Sequence, residues 1–432
     1  MLEPARSAGR RERIALVLAG GGARGAYEVG VLAALAPALA ARGEQPDIII
    51  GTSIGALNGA FIASRAHEPL EQTATDGVEM WRELRFSDAL RPLVSPSELG
   101  RLLGAAATLA RLPGAGLHGL LDPSPLFGTL ERLVDFKRLA RNVEDGTLTT
   151  AAVVATAYST TRSVVFHHGG PPLGLDLARA IDYIATPLAP EHVLASAAIP
   201  GAFPAVEIKR PREANGWYGD GGVRLNAPLK PALELGADRV VVIGLNSSLT
   251  ADEAPARPDA IDGAAQLLQV VLGDQIADDV ATLAAVNETL VPTGSSAGRA
   301  RSRHAGRRTI PYIFIAPSDR LAIGRLARDV YKRHYAGIGG LLRNTDLALL
   351  GRIVSAERNA IHGELLSYLF LAREFIEELI ALGRRDGERW LEQRHDAGLW
   401  QVGRLPAVKT ATRPVRARRR TGKARAPRAA RA

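Results

Sequence analysis

The chain has 432 residues, of which 46% are hydrophobic and 23% are charged, and this is the composition of a globular protein with a sizeable core. It contains no cysteine, which excludes disulfide bonds, thiolate nucleophiles and cysteine-based zinc sites and fits a reducing compartment. The net charge is +9, but ten Lys and Arg residues and no acid lie in residues 409–432, so residues 1–408 carry about −1 and no basic nucleic-acid-binding face is expected on them.

The N-terminal region predicts two consecutive strand–turn–helix units. After a polar leader at residues 1–12, the apolar run Ile14–Ala19 predicts a buried strand, and the Ala- and Leu-rich segment Ala26–Ala41 predicts a helix. Ile48–Ile50 predicts a second strand, followed by a tight turn and a helix over Ile54–Ser64. Two such units within about 55 residues indicate a parallel α/β sheet.

The rest of the chain predicts further strands, a helical extension and a basic tail. Residues 68–140 are expected to form mostly helices and loops, whereas Val240–Leu245 and Tyr312–Ala316 predict strands. The stretch from about Glu357 to Leu391 predicts one helix that packs on the body, and the Pro-, Arg- and Ala-rich tail is expected to be disordered. No segment reaches the ~18 uninterrupted apolar residues of a membrane-spanning helix.

The turn after the second predicted strand has the form of a nucleophile elbow. Gly51-Thr52-Ser53-Ile54-Gly55 fits G-x-S-x-G between a β-branched strand and a predicted helix. The glycines permit a sharp turn with Ser53 at its apex, and the helix directs N–H groups and its positive end at the reacting centre. In the alternative interpretation, Ser53 only caps the start of a helix.

A serine hydroxyl becomes a nucleophile when a base takes its proton, and Asp220 is a candidate for that base. It lies in Gly219-Asp220-Gly221-Gly222, where small residues allow another loop to approach closely, although an ordinary turn aspartate is the alternative. The later histidines are expected on the surface, and they are His192, His304, His334, His362 and His395. A Ser–Asp–His triad that uses His304 or His334 remains a second possibility.

The first glycine-rich loop has two interpretations. Gly20, Gly22 and Gly25 fit the dinucleotide-binding pattern G-x-G-x-x-G, but the same bare N–H groups can stabilise an oxyanion. A dinucleotide site has an acidic residue at the end of the second strand, whereas here Asp47 precedes that strand and Ser53 follows it. Because the carboxyl ends of adjacent parallel strands form one crevice, we expect the loop beside Ser53, which favours an oxyanion hole.

Three motifs in this order resemble those of the patatin-like phospholipases: Gly20-Gly21-Gly22-Ala23-Arg24-Gly25, Gly51-Thr52-Ser53-Ile54-Gly55 and Asp220-Gly221-Gly222. The resemblance covers roughly residues 13–245, with a weaker similarity over Tyr312–Leu342. It implies a three-layer α/β/α sandwich with a mostly parallel central sheet, followed by a C-terminal helical extension and a disordered basic tail. The expected units are a flexible leader (1–12), a catalytic domain (13–345), the helical extension (346–402) and the tail (403–432).

The resemblance implies a lipid acyl hydrolase of the phospholipase A or lysophospholipase type that uses a Ser–Asp dyad. Ser53 would attack the ester carbonyl, and Asp220 would act as general base. The implied oxyanion loop comprises Gly20, Gly21, Gly22, Ala23, Arg24 and Gly25, with the N–H groups of Gly21, Gly22 and Ala23 as donors and Arg24 fixing the loop. The implied elbow residues are Gly51, Thr52, Ile54 and Gly55, and Gly221 and Gly222 complete the third motif. The resemblance implies no metal and no cofactor.

The expected partner is a phospholipid or another acyl-ester lipid, and no nucleic acid is expected. We expect a cytoplasmic location. The basic residues of 409–432 predict peripheral contact with an anionic membrane, and the alternative is that this tail is only a solubilising segment. Two other functions remain open. One is a Rossmann-type nucleotide-binding protein that uses the Gly20–Gly25 loop, and the other is an acyltransferase that uses the same Ser–Asp pair.

Overall fold

A computed structural model describes residues 11–91, 121–245, 276–290, 308–354, 356, 360–395 and 398–404. Most of the predicted leader and the basic tail from residue 405 onward lie outside these ranges, and their disorder stays a prediction. None of the helices in the described ranges is both long and apolar enough to cross a membrane.

The described strands form one mixed sheet. They are β1 (Ile14–Leu18), β2 (Pro46–Thr52), β3 (Thr150–Ala157), β4 (Ser163–Gly169), β5 (Leu175–Asp176), β6 (Ile181–Ala185), β7 (Val206–Ile208), β8 (Gly216–Asp220), β9 (Arg239–Ile243) and β10 (Tyr312–Ile315). The order is β10-β9-β1-β2-β3-β4-β6-β5, and β8 pairs with both β3 and β7. The strands from β10 to β3 run parallel, and β4 is antiparallel to β3. Every residue of β1 is buried, as expected for a central parallel strand covered on both faces.

Helices flank this sheet and confirm the predicted α/β/α class with C-terminal helices. They are α1 (Gly25–Ala40), α2 (Ile54–Ser64), α3 (Leu70–Glu83), α4 (Phe86–Ala89), α5 (Ser124–Leu133), α6 (Phe136–Glu144), α7 (Pro190–Ser196), α8 (Gly222–Leu225), α9 (Leu229–Glu234), α10 (Ile276–Leu290), α11 (Ala322–His334), α12 (Gly337–Arg343), α13 (Thr345–Ile353), α14 (Ala360–Ser367) and α15 (Arg373–Gln393). The order β1-α1-β2-α2 reproduces the two predicted strand–turn–helix units, with strand and helix ends shifted by a few residues.

The prediction of one helix from about Glu357 to Leu391 is wrong, because α14 and α15 are separated by a break at residues 368–372. At the end of α14 the Ser367 hydroxyl donates to the carbonyl of Glu364, at 2.6 Å, and so satisfies an acceptor of the last helical turn. The break is itself buried: Phe370 is 0% exposed and packs against other aromatic rings. Because the residues of this buried break are apolar, the hydrophobic pattern of the sequence continues through it and does not reveal where α14 ends.

The last helix joins the C-terminal region to the start of the sheet. α15 packs along α1, and glycines in the contact allow the two backbones to approach closely, since a Cβ at Gly383 would collide with the carbonyl oxygen of Tyr27. The Tyr27 hydroxyl donates to the buried carboxylate of Asp386, at 2.9 Å. The expectation that this helix packs on the body is therefore met.

Candidate active site

The strand register brings Ser53 and Asp220 together. β2 and β8 lie end to end along the same edge of β3, with Thr52 paired to Val154 and Asp220 paired to the next residue, Ala155. Because Ser53 directly follows Thr52, the end of β2 meets the end of β8 at this point. The loop that follows β1 lies beside them, because β1 is the neighbour of β2.

Ser53 occupies a strained backbone conformation, with φ 55° and ψ −122°. Its N–H donates to the hydroxyl oxygen of Ser196, at 2.7 Å, and that hydroxyl donates to the carbonyl of Val154, at 2.5 Å. The turn is so tight that a Cβ at Gly51 would collide with the carbonyl oxygen of Gly55. The geometry is that of an elbow rather than of a simple helix cap, since the Ser53 side chain makes no capping hydrogen bond.

The Ser53 hydroxyl donates to Asp220 Oδ2 at a distance of 2.6 Å. The second oxygen, Oδ1, accepts the N–H of Gly222 at 2.7 Å, and Asp220 is only 1% exposed. Burial raises the pKa of Asp220 to about 7, against the lowering effect of the hydrogen bonds from Ser53 and Gly222. A carboxyl group with this pKa exchanges protons near neutral pH, as a general base needs to do.

Three residues of the glycine-rich loop, Gly20, Gly21 and Gly22, line the same pocket as Ser53. The N–H of Gly20 donates to Asn226, and the N–H of Ala23 donates to the carbonyl of Tyr368. The N–H groups of Arg24 and Gly25 are bonded within the loop. Among the described residues, no acceptor takes the N–H of Gly21 or of Gly22. Of the three N–H groups expected as oxyanion donors, those of Gly21 and Gly22 are thus left without an acceptor in the described part of the chain. The N–H of Ala23 is taken by Tyr368, so the expectation that Ala23 is a donor is not met.

Two buried polar residues that were not predicted from the sequence hold these elements in place. Asn226 Oδ1 accepts the N–H of Gly20 at 3.1 Å, and Asn226 Nδ2 donates to the Gly20 carbonyl, so this amide pins the start of the glycine-rich loop. The hydroxyl oxygen of Ser196, the last residue of α7, accepts the N–H of Ser53. Neither is among the residues of the three motifs named above, and each acts on the backbone of a segment far away in the sequence.

A Ser196→Ala variant tests the support of the elbow. Without the hydroxyl, the buried Ser53 N–H loses its acceptor, which costs about 1–3 kcal/mol in the free energy of unfolding, and a misplaced nucleophile lowers kcat by about 10- to 100-fold. Steady-state kinetics and urea unfolding measure both effects. Ser64→Ala is the matched control, because the buried Ser64 hydroxyl donates only to the Phe61 carbonyl of its own helix. Equal kcat values for the two variants would refute this role of Ser196.

A small pocket lies beside Ser53 and Asp220, and it is also lined by Gly20–Gly22, Ile199, Asn226 and Tyr368. Asp47 lies at the opposite end of β2, where its carboxylate accepts the N–H of Ile14. The acidic residue of a dinucleotide site is therefore not supplied by Asp47.

The histidine predictions have mixed outcomes. His192 and His362 are buried, at 2% and 0% exposure, so their expected surface placement is wrong. The ring of His192 accepts the N–H of Ala189 and packs on Phe166, which explains its burial. His334 ends α11 beside the ring of Tyr335, and His304 lies outside the described residues. Because Ser53 donates directly to Asp220, no histidine stands between these two side chains.

Comparisons with known proteins identify one family. The patatin-like phospholipase family model matches residues 16–233, which is half of the chain. The chain is similar in structure to VipD from Legionella pneumophila, with 13% identity, a TM-score of 0.29 and coverage of 90% of this chain and 88% of that one. It is also similar to human GIVD cytosolic phospholipase A2, with 12% identity, a TM-score of 0.42 and coverage of 89% of this chain but only 59% of that one. No curated protein matches the chain.

Proposed function

Because the chain belongs to the patatin-like phospholipase family and is therefore a lipid hydrolase, we propose that it cleaves acyl-ester lipids through a covalent intermediate on Ser53. The observation that carries the proposal is the 2.6 Å hydrogen bond from the Ser53 hydroxyl to the buried carboxyl group of Asp220. A nucleophile and a base in direct contact, at a strained turn, supply what acyl transfer requires. The substrate class is an ester of a fatty acid with a phospholipid or another lipid alcohol.

In the proposed first step, Ser53 Oγ attacks the ester carbonyl carbon while its proton moves to Asp220 Oδ2. The carbonyl oxygen becomes an alkoxide that accepts hydrogen bonds from the N–H groups of Gly21 and Gly22. When the intermediate collapses, the bond to the alcohol oxygen breaks, and Asp220 returns the proton to the leaving alcohol. The acyl group is left as an ester of Ser53.

In the second step, a water molecule takes the place of the alcohol. Asp220 accepts one proton of that water, and the hydroxide oxygen attacks the acyl carbon. Collapse of the second alkoxide breaks the bond to Ser53 Oγ, which regains a proton from Asp220, and a free fatty acid leaves. An acceptor alcohol in place of water would give an acyltransferase with the same residues.

The reaction is tested by incubating the full-length protein with phospholipid vesicles and measuring fatty acid release. We expect release that increases linearly with enzyme concentration and is lost in Ser53→Ala. A second incubation includes a primary alcohol at high concentration, and transfer of the acyl group to it identifies the acyltransferase activity. Release that is equal in the wild type and in Ser53→Ala would contradict the proposal.

The pH dependence of kcat/KM follows from the role of Asp220. Since only the ionised carboxylate accepts a proton, and burial raises the pKa of Asp220 to about 7, activity is expected to rise with pH and to level off above about pH 7. Below about pH 6 the rate falls about tenfold per pH unit, as the ionised fraction of the carboxyl group does. Initial rates with a soluble uncharged ester between pH 5 and pH 9 measure this. A flat profile over that range would contradict the assignment of Asp220 as the base.

A further inference from the structure

The side chain of Arg24, in the glycine-rich loop, is anchored by the C-terminal region. Arg24 is 1% exposed, and its Nε donates to the Ser367 hydroxyl oxygen at 2.7 Å. Its Nη2 donates both to the Glu364 carbonyl, at 2.9 Å, and to the Glu364 carboxylate, at 2.5 Å. The guanidinium also lies 4.0 Å from the centre of the Tyr368 ring, which adds a cation–π contact.

The carboxylate of Glu364 also accepts a hydrogen bond from α11. Its other carboxylate oxygen accepts the N–H of Gly324 in α11 at 2.7 Å, and the residue is 3% exposed. The ion pair of Arg24 and Glu364 is therefore buried, and its groups are satisfied by hydrogen bonds on both sides. Breaking a buried pair by removing one charge is costly because the other charge stays uncompensated. The loop and α14 are thus coupled strongly.

The C-terminal region also fixes the backbone conformation of the glycine-rich loop. The carbonyl of Tyr368 accepts the N–H of Ala23 at 2.8 Å. It lies so close to Gly22, whose φ is +60°, that a Cβ there would collide with it. The hydrogen bond to Tyr368 makes the Ala23 N–H unavailable to an oxyanion. The close approach of the Tyr368 carbonyl fixes the turn at Gly22. Tyr368 itself lines the pocket, at the break between α14 and α15.

We propose that Glu364, Ser367 and Tyr368 are positioning residues of the oxyanion hole, a role that rests on the proposed function. They hold the loop so that Gly21 and Gly22 direct their N–H groups at the developing alkoxide. The family match ends at residue 233, so these residues come from a part of the chain that it does not cover. The C-terminal helices are then a required part of the active site.

Glu364→Gln tests the proposal in the full-length protein. The amide keeps the size of the side chain but removes the charge that orients Arg24, and we expect kcat for a soluble ester to fall about 10- to 100-fold with KM changed less than about threefold. The midpoint of the pH profile should stay at that of the wild type, because the change does not touch Asp220. Asp386→Asn is the matched control: it removes a buried acid between α15 and α1, where Asp386 accepts from Tyr27 and Arg389. This control is expected to keep kcat within about threefold per folded molecule.

Equal kcat values for Glu364→Gln and Asp386→Asn, normalised to folded protein, would overturn the proposal. If Glu364→Gln does not fold, Ser367→Ala decides. It removes the acceptor of Arg24 Nε and a donor to the Glu364 carbonyl, but it leaves that carbonyl the bond from Arg24 Nη2. A fall in its kcat of about threefold or more supports the proposal, and an unchanged kcat overturns it. Wild type and Ser53→Ala are measured in parallel. Activity that depends on Ser53 but not on Glu364 or Ser367 refutes the positioning role alone, whereas activity that does not depend on Ser53 refutes the proposed function.

Discussion

Ser53→Ala is expected to lower ester hydrolysis by about 10⁴-fold or more, which is the scale seen when a catalytic serine is removed from other hydrolases. The alanine methyl group cannot form the acyl ester, so the covalent route is lost and only the oxyanion donors remain. The measurement is kcat/KM for a soluble ester, followed by fatty acid release from vesicles. The fold should survive, since the change leaves the backbone bonds of the elbow in place, including that from the Ser53 N–H to Ser196.

Ser64→Ala controls for the loss of a buried hydroxyl in the same segment. Ser64 ends α2, the helix that Ser53 precedes, and its exposure of 4% is close to the 5% of Ser53. We expect Ser64→Ala to keep wild-type kcat/KM. An equal loss in both variants would mean that the helix, and not the Ser53 hydroxyl, limits the activity.

Asp220→Asn is expected to lose about 10³- to 10⁴-fold in kcat and, at the same time, to stabilise the protein above neutral pH. An amide cannot take the proton of Ser53, but it can keep both hydrogen bonds of Asp220, accepting from Gly222 and donating to Ser53 Oγ. The substitution removes the charge of a carboxylate that is only 1% exposed. Among the described residues, no cation is bonded to either oxygen of this carboxylate. The gain in stability is therefore the cost of burying that charge.

The size of this gain in stability depends on pH. Burial raises the pKa of Asp220 to about 7, whereas an aspartate in the unfolded chain titrates near ~3.9. Between these values the folded protein holds a proton that the unfolded chain has released, so the wild type loses stability as pH rises, by up to about 1.4 kcal/mol per pH unit. The free energy of unfolding of Asp220→Asn minus that of the wild type should grow from pH 4 to pH 7, by about 2–4 kcal/mol in total, and stay constant above.

Urea unfolding at pH 5 and at pH 8 measures that difference. Ser53→Ala serves as the control, because it keeps the carboxylate and should therefore keep the loss of stability with rising pH. A difference between Asp220→Asn and wild type that is the same at both pH values would contradict a buried carboxyl group with a raised pKa.

Local patterns in the sequence predict the α/β class and the first two strand–turn–helix units, and both are confirmed. They also single out Ser53 and Asp220 as candidates, although the pattern around Asp220 alone does not distinguish a base from an ordinary turn aspartate. The elbow around Ser53 and the turn around Asp220 each carry glycines that a tight backbone requires, and the strand before Ser53 is a simple apolar run. Their contact could be anticipated only through the resemblance. The contact between Ser53 and Asp220 depends on β2 and β8 lying end to end along β3. Neither motif contains information about strand order.

The supporting residues could not be predicted for a related reason. Ser196, Asn226 and Glu364 each act on the backbone or side chain of a segment more than 100 residues away in sequence. A buried serine or glutamate in an apolar helix has no local feature that distinguishes it from a surface residue of that helix. The break at Tyr368 was missed because its neighbours are as apolar as the helices that it separates.

The most direct test of the Ser53–Asp220 mechanism is the site of a covalent fluorophosphonate adduct on the full-length protein. Trypsin releases Ser53 in the peptide 43–65, whose only other serine is Ser64, so fragmentation of that peptide assigns the adduct. We predict a single adduct on Ser53 in wild type and in Ser64→Ala, much slower labelling in Asp220→Asn, and none in Ser53→Ala. An adduct on another residue, or labelling of the peptide that persists in Ser53→Ala, would contradict the mechanism.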